Sequence, residues 1–174
     1  MIYYNDETIT IRSMKETDSQ VIYDEFLNQN WHPSIETYKN YYNEQESNQR
    51  YVFVAEFEGD IAGYTTLIKN ALSGPFADKG IPEIVDFNVF QKYQKKGIGN
   101  KILDAAEKVA SELGNIVSLG VGLHYGYGAA QSIYVKRGYI PDGSGVWYKN
   151  KQLEQYCDCC NDDDLILYFS KSLG

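Results

Sequence analysis

The segment QKKGIG at residues 94–99 carries the strongest chemical signature in this 174-residue sequence. It follows an apolar run typical of a β-strand and opens an amphipathic helical pattern. Glycines let a backbone approach a ligand closely, and the free amides and dipole of a helix N-terminus attract a phosphate or pyrophosphate. Alternatively, two glycines this close together can simply permit a tight strand-to-helix turn without binding a ligand. The segment lacks the spacing of a P-loop and the third glycine of a dinucleotide fingerprint, which disfavours a nucleoside triphosphatase or a dehydrogenase.

The histidines and the acidic run near the C-terminus are weaker signals. His32 and His124 can titrate near neutral pH, but the sequence identifies no partner for either one. The run of aspartates at residues 162–164 can attract a cationic acceptor, although a solvated charge run is the ordinary interpretation. We therefore assign no catalytic role to these residues from the sequence.

The cysteines favour neither a disulfide framework nor a metal site. Cys157, Cys159 and Cys160 stand in one short segment, without paired CxxC spacing and without a second ligand pair. We therefore predict reduced thiols and no metal. Neither a signal peptide nor an apolar run of about 18 residues is recognisable, so we expect a cytoplasmic protein that does not span a membrane.

Composition limits the classes of partner. The formal net charge is -8 and the pI is about 4.7, so the field of the protein repels nucleic acid and suits a cationic or amine-bearing substrate better. An acidic surface that serves only solubility is the commoner explanation of such a charge. The hydrophobic fraction of 43% and the chain length predict one globular domain over residues 1–174.

Periodicity predicts the elements that must position these residues. A tight turn at Gly59-Asp60 joins two alternating runs into a hairpin. The order of the elements indicates one mixed α/β or α+β sheet with helices on its faces. Strands are predicted at residues 8–14, 51–58, 60–69, 84–90, 115–123 and 164–171, and helices at residues 17–30, 33–46, 97–113 and 129–137.

The pattern QxxGxG within VFQKYQKKGIGNKIL resembles the coenzyme A pyrophosphate motif of the GCN5-related N-acetyltransferase (GNAT) superfamily. Downstream, residues 121–123 followed by Ala130, Tyr134 and Gly138-Tyr139 resemble the next strand and helix of that family. The initial order of strand, helix, helix and hairpin also matches, so the resemblance covers nearly the whole chain. It implies a mixed, mostly antiparallel central sheet with helices on both faces.

The resemblance implies transfer of an acetyl group from acetyl-CoA to a primary amine by direct attack in a ternary complex, without a metal. A small-molecule amine is the leading acceptor. The alternatives are a protein N-terminus or lysine, and a non-catalytic module that binds acyl-CoA as a sensor. A homodimer is left open.

The same resemblance implies catalytic roles for three residues. Tyr134 corresponds to the tyrosine that protonates the coenzyme A thiolate. Glu83 stands at the same offset from Gln94 as the catalytic glutamate of the histone-acetylating branch, and Asp86 is the second candidate for the base. Ordinary structural roles remain open for all three residues.

The cofactor-binding residues follow from the two motifs. Tyr127 stands where many members of the family carry asparagine, so the resemblance does not carry over the usual asparagine contact with the cofactor. The adjoining segment HYGYG can shape the acceptor pocket. The implied set is Phe87, Asn88, Val89, Gln94, Lys95, Lys96, Gly97, Ile98, Gly99, Asn100, Tyr127 and Ala130.

Overall fold

A computed structural model describes all residues from 1 to 174 and contains nine strands and four α-helices. The helices are α1 (Asp18–Asn28), α2 (Ile35–Glu46), α3 (Ile98–Leu113) and α4 (Gly128–Lys136). The strands are β1 (Ile2–Asn5), β2 (Ile9–Ser13), β3 (Arg50–Phe57), β4 (Asp60–Ile68), β5 (Glu83–Val89), β6 (Ile116–Gly122), β7 (Ile140–Tyr148), β8 (Lys151–Gln152) and β9 (Leu165–Ser172). None of the helices has the length and hydrophobicity needed to cross a bilayer.

The strands form a sheet in the order β1-β2-β3-β4-β5-β6-β9-β7-β8. The β5–β6 pair is parallel and aligns Glu83 with Ser118, whereas the pairs β1–β2, β2–β3, β3–β4, β6–β9 and β7–β9 are antiparallel. The predicted mixed, mostly antiparallel sheet is confirmed.

The chain divides into two compact units. The first unit comprises Met1–Ile68 and Val85–Val109, and the second comprises Lys69–Ile84 and Ala110–Gly174. The core of the first unit is rich in aromatic rings: Phe26 of α1 packs edge-on against Phe90, with 5.3 Å between ring centroids, and Tyr38 of α2 packs edge-on against Tyr64 at 5.9 Å. Burying these large rings holds α1 and α2 against the strands of this unit.

A buried ion pair fixes the start of α1. Arg12 on β2 donates to Asp18 at 2.6 Å and to Glu56 of β3 at 2.6 Å. Asp18 is the first residue of α1, so one guanidinium links this helix to two neighbouring strands.

The second unit has its own aromatic cluster. Tyr168 of β9 packs against Phe76 and Trp147, with ring centroids 6.5 and 5.7 Å apart. The backbone at Gly74 has φ +74°, and a Cβ there would lie 2.3 Å from the Tyr168 ring. Glycine therefore lets the loop pass close to this tyrosine.

The β3–β4 hairpin is confirmed, but its turn residues are Glu58 and Gly59 rather than Gly59-Asp60. The register pairs Phe57 with Asp60, and the two residues between them have φ +53° and +91°. Positive φ at both central positions is the type I′ pattern, which matches the twist of the strands.

Three strands were not predicted. β1 is a four-residue edge strand with an irregular register, and β8 has only two residues. β7 contains Pro141, Gly143 and Gly145, which are typical of a loop. Both glycines have φ above +75°, and they lie in an irregular stretch between Pro141 and Val146, on either side of which β7 pairs with β9. Pairing with a neighbour therefore made a strand where local sequence predicts none.

Candidate active site

The QKKGIG segment forms the connection between β5 and α3. A 3₁₀ turn at Gln91–Tyr93 follows β5, Gly97 has φ +81°, and α3 begins at Ile98. The Asn100 amide is bonded to the Gly97 carbonyl at 3.1 Å, so the amides of Ile98 and Gly99 precede the first helical hydrogen bond. Ile98 is buried and anchors the helix start, while the preceding residues 94–97 are exposed.

The loop leaves room beside its backbone at Gly97, and its binding of a phosphate-bearing ligand stays a prediction. A Cβ at Gly97 would meet no atom within 4 Å, so glycine is required there by the positive φ and not by crowding in the chain. Open space therefore lies beside the backbone at a helix N-terminus, which is where a pyrophosphate binds favourably. Lys95 is exposed, and the Lys96 ammonium lies 4.4 Å from the centroid of the Phe57 ring.

Gln94 has a structural contact in this loop. Its side-chain amide donates to the Val89 carbonyl at 3.1 Å and so joins the loop to the end of β5. The structure thereby brings together two residues of the predicted cofactor-binding set. In this conformation, the Gln94 side chain contacts the protein backbone and so stabilises the loop.

Asp86 lies at the centre of a hydrogen-bonded cluster in the first unit. Tyr64 donates to its Oδ2 atom at 2.7 Å, Tyr41 donates to the same atom at 3.1 Å, and Asn88 donates to Oδ1 at 2.7 Å. A carboxylate offers about four lone-pair sites, and these contacts use three of them. Three donors on three different elements therefore hold the orientation of the Asp86 carboxylate.

The backbone at Asp86 departs from regular strand geometry. Its φ of +56° is uncommon for a residue other than glycine, although aspartate tolerates it better than most residues. Nearby, a Cβ at Gly63 of β4 would lie 2.4 Å from the Asn88 carbonyl oxygen, so a side chain at position 63 would push β4 and β5 apart. Strained backbone of this kind is concentrated at functional sites.

The surroundings of Asp86 shift its pKa and the pKa of the two tyrosines that bond it. Burial raises the pKa of Asp86 above its ordinary value, and the hydrogen bonds from Tyr64, Tyr41 and Asn88 oppose that rise. Burial, together with the negative charge of Asp86, also raises the pKa of Tyr41 and of Tyr64. Both phenols therefore remain protonated donors at neutral pH, and a carboxylate with a raised pKa takes a proton more readily than an exposed one.

Glu83 occupies different surroundings from Asp86. It is the first residue of β5, belongs to the second unit and is buried, with 8% of its surface exposed. Burial raises the pKa of Tyr168, and the negative charge of Glu83 adds to that rise. The two carboxylates predicted as alternative bases are therefore in separate environments.

Tyr134 is buried on α4 in the second unit. Its ring packs at 61° to the Tyr139 ring, with 5.7 Å between centroids, and 5% of its surface is exposed. The Tyr139 amide also bonds the Tyr134 carbonyl at 3.0 Å, which fixes the end of the helix. The role of the Tyr134 hydroxyl as a proton donor stays a prediction.

Tyr127 takes part in a cluster that the sequence did not predict. Its hydroxyl donates to Asp163 at 2.9 Å, and the Nε2 atom of His124 lies 3.0 Å from the same oxygen. The Gly126 amide donates to Nδ1 of His124 at 3.1 Å, so the neutral ring carries its proton on Nε2. Asp163 is therefore more than part of a solvated charge run, and the hydrogen bonds from His124 and Tyr127 lower its pKa.

A close approach positions the Tyr127 ring. A Cβ at Gly122, the last residue of β6, would lie 2.3 Å from that ring. Glycine at the end of the strand thus makes room for the aromatic ring at the position where the family resemblance implies asparagine. Ala130 lies in the first turn of α4, half-buried.

The cysteines and a surface groove beside α2 lie outside these clusters. All three cysteines are exposed and unpaired by disulfides, and no group of three or more His, Cys, Asp or Glu side chains is placed to hold a metal ion. Tyr42 of α2 lines a surface groove of about 370 Å³, together with Ser19 and Gln20 of α1. Tyr38 is buried in the core of the first unit, and Tyr41 and Tyr42 both pack against that core.

Comparison with known proteins defines the class. The sequence profile of the Acetyltransferase (GNAT) family matches residues 19–139. This match spans more than half of the chain, and the chain belongs to this acetyltransferase family. No curated protein matches the sequence significantly.

Solved structures share the fold at low sequence identity. A Salmonella typhimurium structure named as an acetyltransferase with its cofactor acetyl-CoA has a TM-score of 0.70 and 15% identity, and covers 97% of this chain and 95% of its own. A Salmonella typhimurium acetyltransferase that modifies the N-terminal serine of a 50S ribosomal protein has a TM-score of 0.72 and 11% identity, with 99% of both chains covered. An N-acetyltransferase from Staphylococcus aureus has a TM-score of 0.72 and 16% identity, with 97% and 100% covered.

Proposed function

We propose that the protein is an acetyl-CoA-dependent N-acetyltransferase that acts on a primary amine of a small molecule. The observation that carries this proposal is the buried Asp86 carboxylate, which accepts three hydrogen bonds and has a raised pKa. It precedes by eight residues the loop that starts at Gln94 and that would bind the pyrophosphate. Membership of the family supports acetyl transfer, and the acidic balance of the chain supports a cationic acceptor.

The protein must hold its co-substrate by the pyrophosphate and by the pantetheine arm. The amides of Ile98 and Gly99, at the start of α3, would hold the pyrophosphate. The backbone of residues 87–89 would hold the arm and polarise the acetyl carbonyl, so this role does not depend on which side chains stand there. Acetyl-CoA supplies the activated acetyl thioester.

An amine must lose a proton before it can attack. A primary alkylammonium has a pKa of about 10.4, so most of it arrives protonated at neutral pH. Asp86 would accept that proton on Oδ1, directly or through water, while Tyr41 and Tyr64 hold its other oxygen. Glu83 is the competing candidate for this role. Tyr134 would donate the proton that the departing thiolate needs.

A protein acceptor is the second candidate. The Salmonella acetyltransferase that modifies an N-terminal serine of a ribosomal protein shares this fold across 99% of the chain. A peptide acceptor needs a groove that receives backbone as well as the amine. A small amine needs only the carboxylate and its aromatic surroundings, which the Asp86 cluster supplies.

A panel of acceptors tests the proposal. The panel contains mono- and diamines, amino acids and a peptide with an N-terminal serine, each incubated with acetyl-CoA. Mass spectrometry should detect the acetylated product, because the exposed Cys157, Cys159 and Cys160 would react with reagents that report released thiol. We expect acetylation of a small amine. Product from the peptide alone would favour the protein acceptor instead.

A thermal-shift titration separates catalysis from simple binding. Saturation with acetyl-CoA at 100-fold excess over Kd should stabilise the fold by about 2.7 kcal/mol. Stabilisation without product from any acceptor would indicate a non-catalytic sensor. Absence of both stabilisation and product would refute the proposed function.

A further inference from the structure

Arg50, the first residue of β3, connects the elements that surround Asp86. Its guanidinium carbon lies 4.7 Å from the centroid of the Tyr41 ring, and its Nη1 atom donates to the Thr66 hydroxyl at 2.7 Å. Its Nε atom is paired with Glu44 of α2. Only 12% of the side chain is exposed, so these contacts are sheltered from solvent.

These contacts reach Asp86 from two sides. Tyr41, beneath the guanidinium, donates its hydroxyl to Asp86. Thr66 donates to the Val85 carbonyl at 3.0 Å, immediately before Asp86 with its positive φ. Arg50 thus contacts both the side chain that bonds the carboxylate and the side chain that bonds the backbone next to it.

Arginine is suited to this place in a way that lysine is not. A planar guanidinium can stack on an aromatic face while its edge donates several hydrogen bonds in fixed directions. Lysine would keep the positive charge but not the stacked plane or the simultaneous bonds to Glu44 and Thr66. Replacing Arg50 with lysine therefore changes the contact geometry at this position but keeps the positive charge.

We propose that Arg50 is a positioning residue that holds the Asp86 carboxylate in the orientation in which it accepts a proton from the amine. This inference rests on the proposed function for its catalytic consequence. Arg50 acts through Tyr41 and Thr66 and does not touch the acceptor.

The groups that face Asp86 determine whether its pKa rises or falls when Arg50 is replaced. Its polar neighbours are the phenols of Tyr38 and Tyr41 on α2 and of Tyr64 on β4, and Asn88 on β5. Arg50 is the cation in this set, and its charge lowers the pKa of Asp86 against the rise due to burial. Loss of the charge should therefore raise the pKa of Asp86 and move the acid limb of kcat/KM to higher pH.

Three variants test this role. Arg50→Met removes both charge and geometry, Arg50→Lys keeps the charge, and Lys39→Met is the control because it removes one positive charge from an exposed position on the same helix as Tyr41. The titration of Asp86 is followed by NMR of ¹³C-labelled aspartate carboxyls, with the Asp86 signal assigned from its loss in Asp86→Asn. This readout needs no acceptor, so it remains informative if the proposed function fails.

The expected results differ for each variant. Arg50→Met should raise the pKa of Asp86, whereas Arg50→Lys and Lys39→Met should leave it near the wild-type value. Misplacement of a reacting group by about 1 Å can cost about 100-fold, so both Arg50 variants should lower kcat about 10- to 100-fold with little change in the KM of the amine. Lys39→Met should have wild-type kinetics.

Two outcomes would overturn the proposal. One is an Asp86 titration in Arg50→Met that matches the wild type, and the other is an equal shift in Lys39→Met. If Arg50→Met does not fold, the test passes to Arg50→Lys and Tyr41→Phe. Wild-type kcat in Arg50→Lys would then exclude a positioning role, and a reduced kcat in both variants would support it.

Discussion

Replacing Asp86 with asparagine tests the proposed base directly. Asparagine has nearly the same shape and tolerates the positive φ at this position. Its amide oxygen can still accept from Tyr41 and Tyr64, and Asn88 can turn its own amide to face the new NH₂ group with its oxygen. The cluster should therefore survive, while the Oδ1 site that would accept the proton becomes a donor.

The size of the expected effect follows from that single loss. General base catalysis contributes about 10²- to 10⁴-fold, so kcat/KM should fall by that factor, which equals about 2.7–5.4 kcal/mol of activation free energy. The wild-type kcat/KM should fall as pH drops through the raised pKa of Asp86, because the protonated acid cannot act as a base. Asp86→Asn should lack this acid limb.

Glu83→Gln is the matched control, since it neutralises the competing carboxylate in the same strand. Initial rates of product formation, measured by mass spectrometry across pH with the accepted amine, should stay near wild type in this variant. Near-wild-type rates and an intact acid limb in Asp86→Asn, together with a large loss in Glu83→Gln, would refute the reasoning and assign the base to Glu83.

A stability measurement checks the raised pKa independently of activity. Because the pKa of Asp86 is higher in the folded than in the unfolded state, its contribution to the free energy of unfolding declines as pH rises from the unfolded pKa through the folded one. Urea unfolding of Asp86→Asn and wild type should therefore show the variant gaining relative stability as the pH rises above the unfolded pKa of about 4 and through the raised pKa of the folded state. A constant difference across that range would contradict the raised pKa.

Four further substitutions test the cofactor loop, the proton donor and the tyrosine at the asparagine position. Gly97→Val places a β-branched residue at φ +81° and should weaken coenzyme A binding, measured by calorimetry, more than folding; unchanged affinity would remove the loop from the site. Tyr134→Phe should lower kcat about 10²- to 10⁴-fold without changing coenzyme A affinity, and a wild-type rate under chemistry-limited conditions would exclude this hydroxyl as the acid. Gly122→Ala should displace the Tyr127 ring and lower acetyl-CoA affinity as much as Tyr127→Ala does; equal affinity in both variants and wild type would show that Tyr127 makes no contact with the cofactor.

Local patterns in the sequence were sufficient for most of the secondary structure. The apolar period of α3 and the helix over Ile35–Glu46 are confirmed, as are six predicted strands with bounds within two residues of those observed. The motif after β5 correctly predicted the family. These features depend on residues close together in the chain, where side-chain period and turn chemistry act directly.

The strand β7 and the hydrogen bonds of Asp86 depended on distant residues. The Tyr41 and Tyr64 donors are 45 and 22 positions from Asp86, and neither helix nor strand periodicity indicates which carboxylate a tyrosine will meet. The same holds for Tyr127 and Asp163, which are 36 positions apart. Such pairs are determined by strand register and by the packing of α2, and not by local propensity.

The sequence by itself determined the family, the mixed sheet and the glycine loop at the start of α3, because each is encoded by short-range spacing. Only the tertiary structure distinguished the two carboxylates that the sequence left as alternatives. Asp86 is surrounded by the phenols of α2 and β4, whereas Glu83 lies in the second unit near Tyr168. The pKa of a carboxylate depends on the water it loses and the donors it gains, and both are decided by which distant elements fold against it.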